Sequence, residues 1–233
     1  MLLKIPQLLK AEEVDTLLTL AAQGPFIDGR ETAGVLLHDV KHNEQFKATP
    51  DQVKMMGGIL QQALERDQLL QRFAWPRKVK PPLLSRYAPG MAYGSHYDQP
   101  VMGNRDPMRS DMSLTIFLSD PDSYDGGELN LETPFGTHLV KLPPGDGAVY
   151  ATMMKHQVNP VTRGERLALV TWIQSMIKEP DKRQILFDIT SARQALRDAK
   201  PDTSSDAQSE AQETADDLLH KTVANLMRLW AEV

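Results

Sequence analysis

The chain contains no cysteine, which removes disulfide frameworks, thiolate metal sites and cysteine nucleophiles together. Any metal bound here is bound through nitrogen and oxygen. No apolar run reaches the roughly eighteen residues of a membrane-spanning helix. The opening MLLKIPQLLKAEEVDTLL lacks an apolar run followed by a small-residue cleavage site. The expectation is a cytoplasmic protein that does not engage the membrane. A formal net charge of −5 at pH 7 provides no field to gather nucleic acid or anionic lipid. The locally basic RFAWPRKVKPPLLSR reads as a solvated face beside a sheet, and no nucleic-acid partner is expected. No internal repeat of solenoid period is present.

What is present fits one catalytic domain, since 233 residues can bury a single sizeable core. KAEEVDTLLTLAAQG places Val14, Leu17, Leu18 and Ala21 at helical spacing, with acids early and a glycine stop. Residues 26–49 suggest a strand or two, and TPDQVKMMGGILQQALERDQLLQRF a second helix or helix pair. Between Leu83 and Ile177 the pattern changes. Short β-branched, leucine-rich and aromatic runs (SLTIFLS, GELNLE, THLVKL, GAVYAT, RLALVTWIQ) alternate with Gly, Pro, Asp and Asn clusters, the signature of an antiparallel sandwich or barrel. Beyond Met176, RQILFDITSARQALRDAK reads as a helix and PDTSSDAQSEAQETAD as an acidic connector. ADDLLHKTVANLMRLWAEV forms a helix with Leu218, Leu219, Val223, Leu226, Met227 and Trp230 on one stripe, suited to packing on the sheet or on another subunit of a homo-oligomer. Three stretches follow: supporting helices and strands at 1–80, a core at 81–177 and a helical extension at 178–233.

GSHYDQP places His96 and Asp98 two residues apart in a Gly- and Pro-punctuated stretch. Alone, such a triplet is a weak signal. A sheet-borne metal site needs a further ligand from another strand, and GAVYATMMKHQVNPVTRGERLALVTWIQ supplies His156 after a predicted strand. A turn-forming segment follows, and Arg166 opens the next strand. There Arg166, Ala168, Val170 and Trp172 share one face by the period-two rule. Two imidazoles and one carboxylate leave adjacent coordination positions open, the arrangement of non-haem Fe(II) oxygenases. A 2-oxo acid occupies two of these positions and O2 the third. The far carboxylate of 2-oxoglutarate then requires a cation in a partly dry pocket, a role for which the fork of Arg166 is suited.

The chain resembles the bacterial PKHD-type hydroxylases, iron- and 2-oxoglutarate-dependent dioxygenases related to prolyl and lysyl hydroxylases. The resemblance runs through RYAPGMAYGSHYD, SLTIFLSDPDSYDGGEL and KHQVNPVTRGERLALVTWIQSM, and extends to FIDGRETAG, VKHNEQ and ILFDI. It implies a mainly β fold with flanking helices (α+β), built on a double-stranded β-helix, or jelly roll. It implies Fe(2+) held by His96, Asp98 and His156, and 2-oxoglutarate held by Arg166, with Tyr87 contacting the co-substrate. It further implies L-ascorbate as a reductant and a link to iron uptake. The expected reaction is hydroxylation of a small-molecule or peptide substrate with O2, giving succinate and CO2. A halogenase is disfavoured, because Asp98 stands where chloride would bind. A non-catalytic iron and 2-oxoglutarate sensor acting through the C-terminal helices is the alternative, and a cupin-like jelly roll with another metal a third.

Other motifs draw structural readings. HDVKH (His38, Asp39, His42) imitates a zinc-protease motif but lacks a helical frame and a third ligand nearby. His138 alternates with apolar residues on a predicted strand, His220 is expected in solvent, and Glu128 follows a glycine pair marking a tight turn. QPVMGNRDPMRSD reads as a lid over the substrate entrance, where Arg105 and Arg109 either meet an anionic substrate or face solvent.

Overall fold

A computed structural model describes residues 2–32, 38–103, 105–199 and 206–232. In chain order, β1 (Leu2–Ile5), α1 (Ala11–Gln23), β2 (Phe26–Asp28), β3 (Lys41–His42) and β4 (Glu44–Phe46) lead to α2 (Pro50–Arg66), α3 (Gln68–Ala74) and β5 (Pro76–Val79). There follow β6 (Leu83–Tyr87), β7 (Ala92–His96), β8 (Val101–Met102), β9 (Met108–Arg109), β10 (Met112–Phe117), β11 (Asp125–Gly126), β12 (Leu129–Thr133), β13 (Gly136–Val140) and β14 (Gly147–Ala151). The last elements are β15 (His156–Val158), β16 (Val161–Arg163), β17 (Arg166–Ser175), α4 (Pro180–Asp198) and α5 (Asp206–Trp230).

Local chemistry accounts for several boundaries. The hydroxyl of Thr49 accepts from the Gln52 backbone N–H, and the Gln52 side chain accepts in return from the Thr49 backbone. With Pro50 in the first helical turn, α2 therefore starts where the TPDQ stretch predicts. The amphipathic α1 buries Val14, Leu17 and Ala21 as its periodicity predicts. One expectation fails. The acidic stretch read as a connector is helical from Asp206 onward, continuous with α5. Its Ala, Gln and Glu residues are strong helix formers, and Arg193 and Arg197 of α4 both pair with Asp216.

The larger sheet runs β1-β14-β10-β17-β6-β4-β2, and a smaller one runs β13-β12-β15-β7-β3. The two pack face to face. Phe117, Ala148 and Tyr150 from the larger sheet form one apolar cluster with Leu129, Leu131 and Val140 from the smaller, and Tyr87 meets Val158 and Val161 in another. All of β10 is buried. It lies between β14 and β17, and its polar Ser113 and Thr115, alternating with Met112, Leu114 and Ile116, are buried with them. This is the mainly β fold with flanking helices expected above.

The chain divides into two compact units, Met1–Asp67 with Lys78–Gln174, and Gln68–Arg77 with Ser175–Val233. Within the second, α3 and α4 meet through Phe73 and Phe187 in edge-to-face contact. There α5 packs along α4, with the Lys182 ammonium over the Trp230 ring. Its apolar stripe is half-buried, and Leu218 and Leu229 are exposed.

Gly164 turns the chain from β16 into β17 at φ 71°, and a Cβ there would stand 2.1 Å from the Ser123 carbonyl oxygen. Both the left-handed backbone and the clash penalise a side chain. Gly164→Ala is expected to cost about 2 kcal/mol or more, lowering Tm by roughly 4–8 °C in a chain of this size, as calorimetry would measure. An unchanged Tm would show that this turn relaxes freely.

Candidate active site

Antiparallel pairing of β15 with β7 sets His156 directly opposite His96. Their rings are 4.3 Å apart between centroids. Each imidazole is oriented by its own backbone: His96 Nδ1 lies 2.8 Å from the Gly94 carbonyl oxygen and His156 Nδ1 lies 3.0 Å from that of Met154. A carbonyl can only accept, so Nδ1 carries the proton in each ring and Nε2 keeps its lone pair. Both Nε2 atoms face Asp98, at 3.7 Å from Oδ1 for His96 and 3.7 Å from Oδ2 for His156. One ligand atom from each residue lies within 4.8 Å of the others, and among the described residues this is the only His, Asp and Glu group so placed. Two neutral nitrogens and a carboxylate converging on one point suit a divalent first-row metal.

Asp98 follows β7 and is held from the opposite sheet. Ser113 Oγ on β10 and Trp172 Nε1 on β17 both donate to its Oδ2, at 2.7 Å and 2.9 Å. Burial alone would raise this carboxyl. The two donors, together with the imidazoles wherever these carry a second proton, outweigh burial and hold it down at about 2. Burial lowers the pKa of His156, against the opposing pull of Asp98, so this ring stays neutral further into the acid range. The stacked Tyr93 ring covers His96, with centroids 3.7 Å apart.

Arg166 lies at the start of β17, opposite Tyr87 on β6. It is 1% exposed, with its Cζ 5.1 Å from the Tyr87 ring centre and 5.3 Å from that of Phe117. Its Nε and the Tyr124 hydroxyl are buried without a hydrogen-bond partner, and no carboxylate among the described residues pairs with it. Gly127 makes room for it: at φ 67°, a Cβ there would come within 3.0 Å of Arg166 Cδ. The glycine pair thus does more than form a turn. Arg166, Tyr87 and the three converging residues line one cavity of about 340 Å³.

The sequence-derived candidates His96, Asp98, His156, Arg166 and Tyr87 therefore come together. The other motifs do not. His38 and Asp39 sit in an exposed turn and His42 is exposed on β3, so HDVKH has no helix. His138 is exposed on β13, His220 is exposed on α5, and Glu128 accepts from Asn159. The expected lid forms, over its described residues, the short β8–β9 hairpin, in which Arg109 pairs with Asp111. Sequence reading missed Ser113 as a partner of Asp98, and missed Lys41, Asn43 and Gln45 on the cavity wall. The alternation of KHNEQ was the available signal.

Residues 82–174 match the family model of the 2OG-Fe(II) oxygenase superfamily. A PKHD-type hydroxylase of Maricaulis maris is 45% identical with full coverage of both chains, and one of Thermosynechococcus vestitus is 41% identical with the same coverage. The chain belongs to the PKHD-type hydroxylases. As a PKHD-type hydroxylase it is an Fe(II)/2-oxoglutarate-dependent dioxygenase. Solved structures agree on the fold: a Trichoplax adhaerens prolyl hydroxylase in complex with a hypoxia inducible factor peptide fragment superposes with a TM-score of 0.54 at 16% identity, covering 79% of this chain and 86% of that one. Streptomyces hygroscopicus HygX with nickel, 2-oxoglutarate and hygromycin B gives 0.52 at 13% identity, covering 76% and 84%.

The two donors to Asp98 generate a prediction for this hydroxylase. Hydrogen bonds to the charged form lower a carboxyl pKa, so Ser113→Ala should move Asp98 upward from about 2. Loss of an orienting partner should also weaken divalent-metal affinity by about ten- to a hundred-fold. Carboxyl carbon NMR titration and metal-competition titration read the two effects. An unmoved Asp98 would exclude Ser113 from that role.

Proposed function

We propose that His96, Asp98 and His156 hold the ferrous ion and that Arg166 and Tyr87 hold 2-oxoglutarate. On this reading the enzyme hydroxylates a small-molecule or peptide substrate, releasing succinate and CO2, with ascorbate as the reductant that restores the iron. The observation that carries this reading is Arg166. A guanidinium buried to this depth without a carboxylate is costly, and a dicarboxylate reaching the cavity floor relieves that cost through bidentate hydrogen bonds. The residues fit the metal equally well, since both Nδ1 atoms are engaged by carbonyls and both Nε2 atoms point at the carboxylate.

Iron with 2-oxoglutarate and O2 supplies the oxidation, which places one oxygen atom in a substrate C–H bond. The protein's contribution is placement. Arg166 and Tyr87 fix the far end of the co-substrate, and the apolar walls, Leu129, Val158 and Val170 among them, limit water. Ser113 and Trp172 keep Asp98 ionised and aimed. Among fold neighbours, one is in complex with a peptide fragment and another with hygromycin B, which supports keeping both substrate classes.

Anaerobic addition of Fe(II) and 2-oxoglutarate should produce a visible charge-transfer band, lost in His96→Ala and in His156→Ala. A variant retaining the full band is not a ligand variant. Arg166→Ala leaves a co-substrate carboxylate unpaired, at about 2–5 kcal/mol, or roughly thirty- to several-thousand-fold in Kd for 2-oxoglutarate. Arg166→Lys should recover only part of this, and iron affinity should hold in both. Wild-type 2-oxoglutarate affinity in Arg166→Ala would refute the assignment.

A further inference from the structure

A row of residues crosses the larger sheet and ends at Arg166. On β17, Arg166 stands opposite Tyr87 of β6, and β4 pairs with β6 through Glu44 opposite Arg86 and Gln45 opposite Ser85. One further step of that register sets Asn43 beside Tyr87. On the other edge of β4, Asp28 of β2 stands opposite Glu44, and the next step sets Gly29 beside Asn43. The bond expected there forms: the Gly29 backbone N–H donates to the Asn43 backbone carbonyl, at 2.8 Å. Residues directly opposite on neighbouring strands share a face of the sheet. Gly29, Asn43, Tyr87 and Arg166 therefore form one line, of which the last three border the cavity.

Neighbours on both sides fix the amide of Asn43. The residue is 3% exposed, and its side chain hydrogen-bonds Tyr87. Its Oδ1 lies over Gly29: a Cβ added there would fall 1.8 Å from that oxygen, so the amide keeps this position only beside a glycine. The same oxygen has no hydrogen-bond partner. Tyr87 therefore meets the NH2 end of the amide, which can only donate.

That direction decides what the Tyr87 hydroxyl can do. A phenol carries one proton, and with an N–H already donated to its oxygen that proton is left for another acceptor. Burial raises the pKa of the hydroxyl against the opposing pull of Arg166 and of the Asn43 contact, so the group stays protonated. An acceptor in place of the Asn43 NH2 would instead compete with any bound ligand for the proton.

Resting on the assignment of Tyr87 and Arg166 to 2-oxoglutarate, we propose that Asn43 is a positioning residue. Its NH2 holds the Tyr87 oxygen as an acceptor and so aims the hydroxyl proton at the far carboxylate of the co-substrate, with Gly29 as the seat that fixes the amide. FIDGRETAG and VKHNEQ, which supply Gly29 and Asn43, thereby act together on one hydroxyl.

The test uses the full chain with Fe(II), without O2, and reads Kd from the visible band for 2-oxoglutarate and for 2-oxopentanoate, in which a methyl group replaces the far carboxylate. Asn43→Leu, similar in size but without a donor, should weaken 2-oxoglutarate binding by about five-fold, the worth of one hydrogen bond, and leave 2-oxopentanoate unchanged. In a Tyr87→Phe background the same substitution should have no effect, because no proton remains to be aimed. Asn43→Asp, which puts an acceptor at the same place, should weaken 2-oxoglutarate more with Tyr87 present than with Phe, and it is the deciding variant if Asn43→Leu does not fold. Unchanged 2-oxoglutarate affinity, equal weakening of both acids, or equal weakening with and without the Tyr87 hydroxyl would each overturn the proposal. Carbon NMR of the Tyr87 ring Cζ, without co-substrate, separates this inference from the reading it rests on. The resonance should shift in Asn43→Leu, and an unmoved one overturns the Asn43 role whatever 2-oxoglutarate does. A shifted resonance with wild-type 2-oxoglutarate affinity in Tyr87→Phe would instead overturn the co-substrate reading of Tyr87, while supporting the contact from Asn43.

Discussion

The pairing of His156 with His96 across β15 and β7 is the contact on which the rest of the site depends. Side chains directly opposite each other on adjacent antiparallel strands are close enough to share one ligand, and a register slip of one residue would turn either ring to the other face. Flanking contacts hold that register. Leu131 of β12 stands opposite His156 on the far side of β15, inside the apolar cluster that joins the two sheets, so moving the histidines would also open the core.

From that pair the electrostatics follow in sequence. Asp98 lies just beyond the end of β7, where it reaches across to the larger sheet and is captured by Ser113 and Trp172. The carboxylate is thereby tied to both sheets, and its ionised form is favoured despite burial. Further in, Arg166 and Tyr87 meet as direct partners on β17 and β6, with Gly127 giving way to the arginine. The cavity is thus lined by the Asp98 carboxylate and by the Arg166 guanidinium, a combination suited to a metal flanked by an anionic ligand.

Much of this was legible from periodicity. The face shared by Arg166, Ala168, Val170 and Trp172 follows from strand alternation, and the structure brings Arg166, Val170 and Trp172 to the cavity. The Thr49 cap and the buried face of α1 were likewise local signals. Two features were not legible, for different reasons. Lys41, Asn43 and Gln45 occupy strands of two and three residues, too short for their polar alternation to stand out from a loop. The stretch from Asp206 has the acidity of a linker, and it is helical with its Asp216 paired to Arg193 and Arg197 of α4, partners that lie 23 and 19 residues away.

By itself, the sequence determined which residue types were available: a chain without cysteine leaves only nitrogen and oxygen ligands for any metal, and the spacing of His96, Asp98, His156 and Arg166 singled out the candidate residues. Tertiary structure alone decided how they act. Which imidazole nitrogen is free depends on the carbonyls of Gly94 and Met154, and the ionisation of Asp98 depends on two donors from the opposite sheet. That Lys41 lines the cavity depends on a short strand segment that passes from one sheet to the other. Each of these is a matter of distance and direction between groups brought together by folding, and neither composition nor spacing along the chain carries that information.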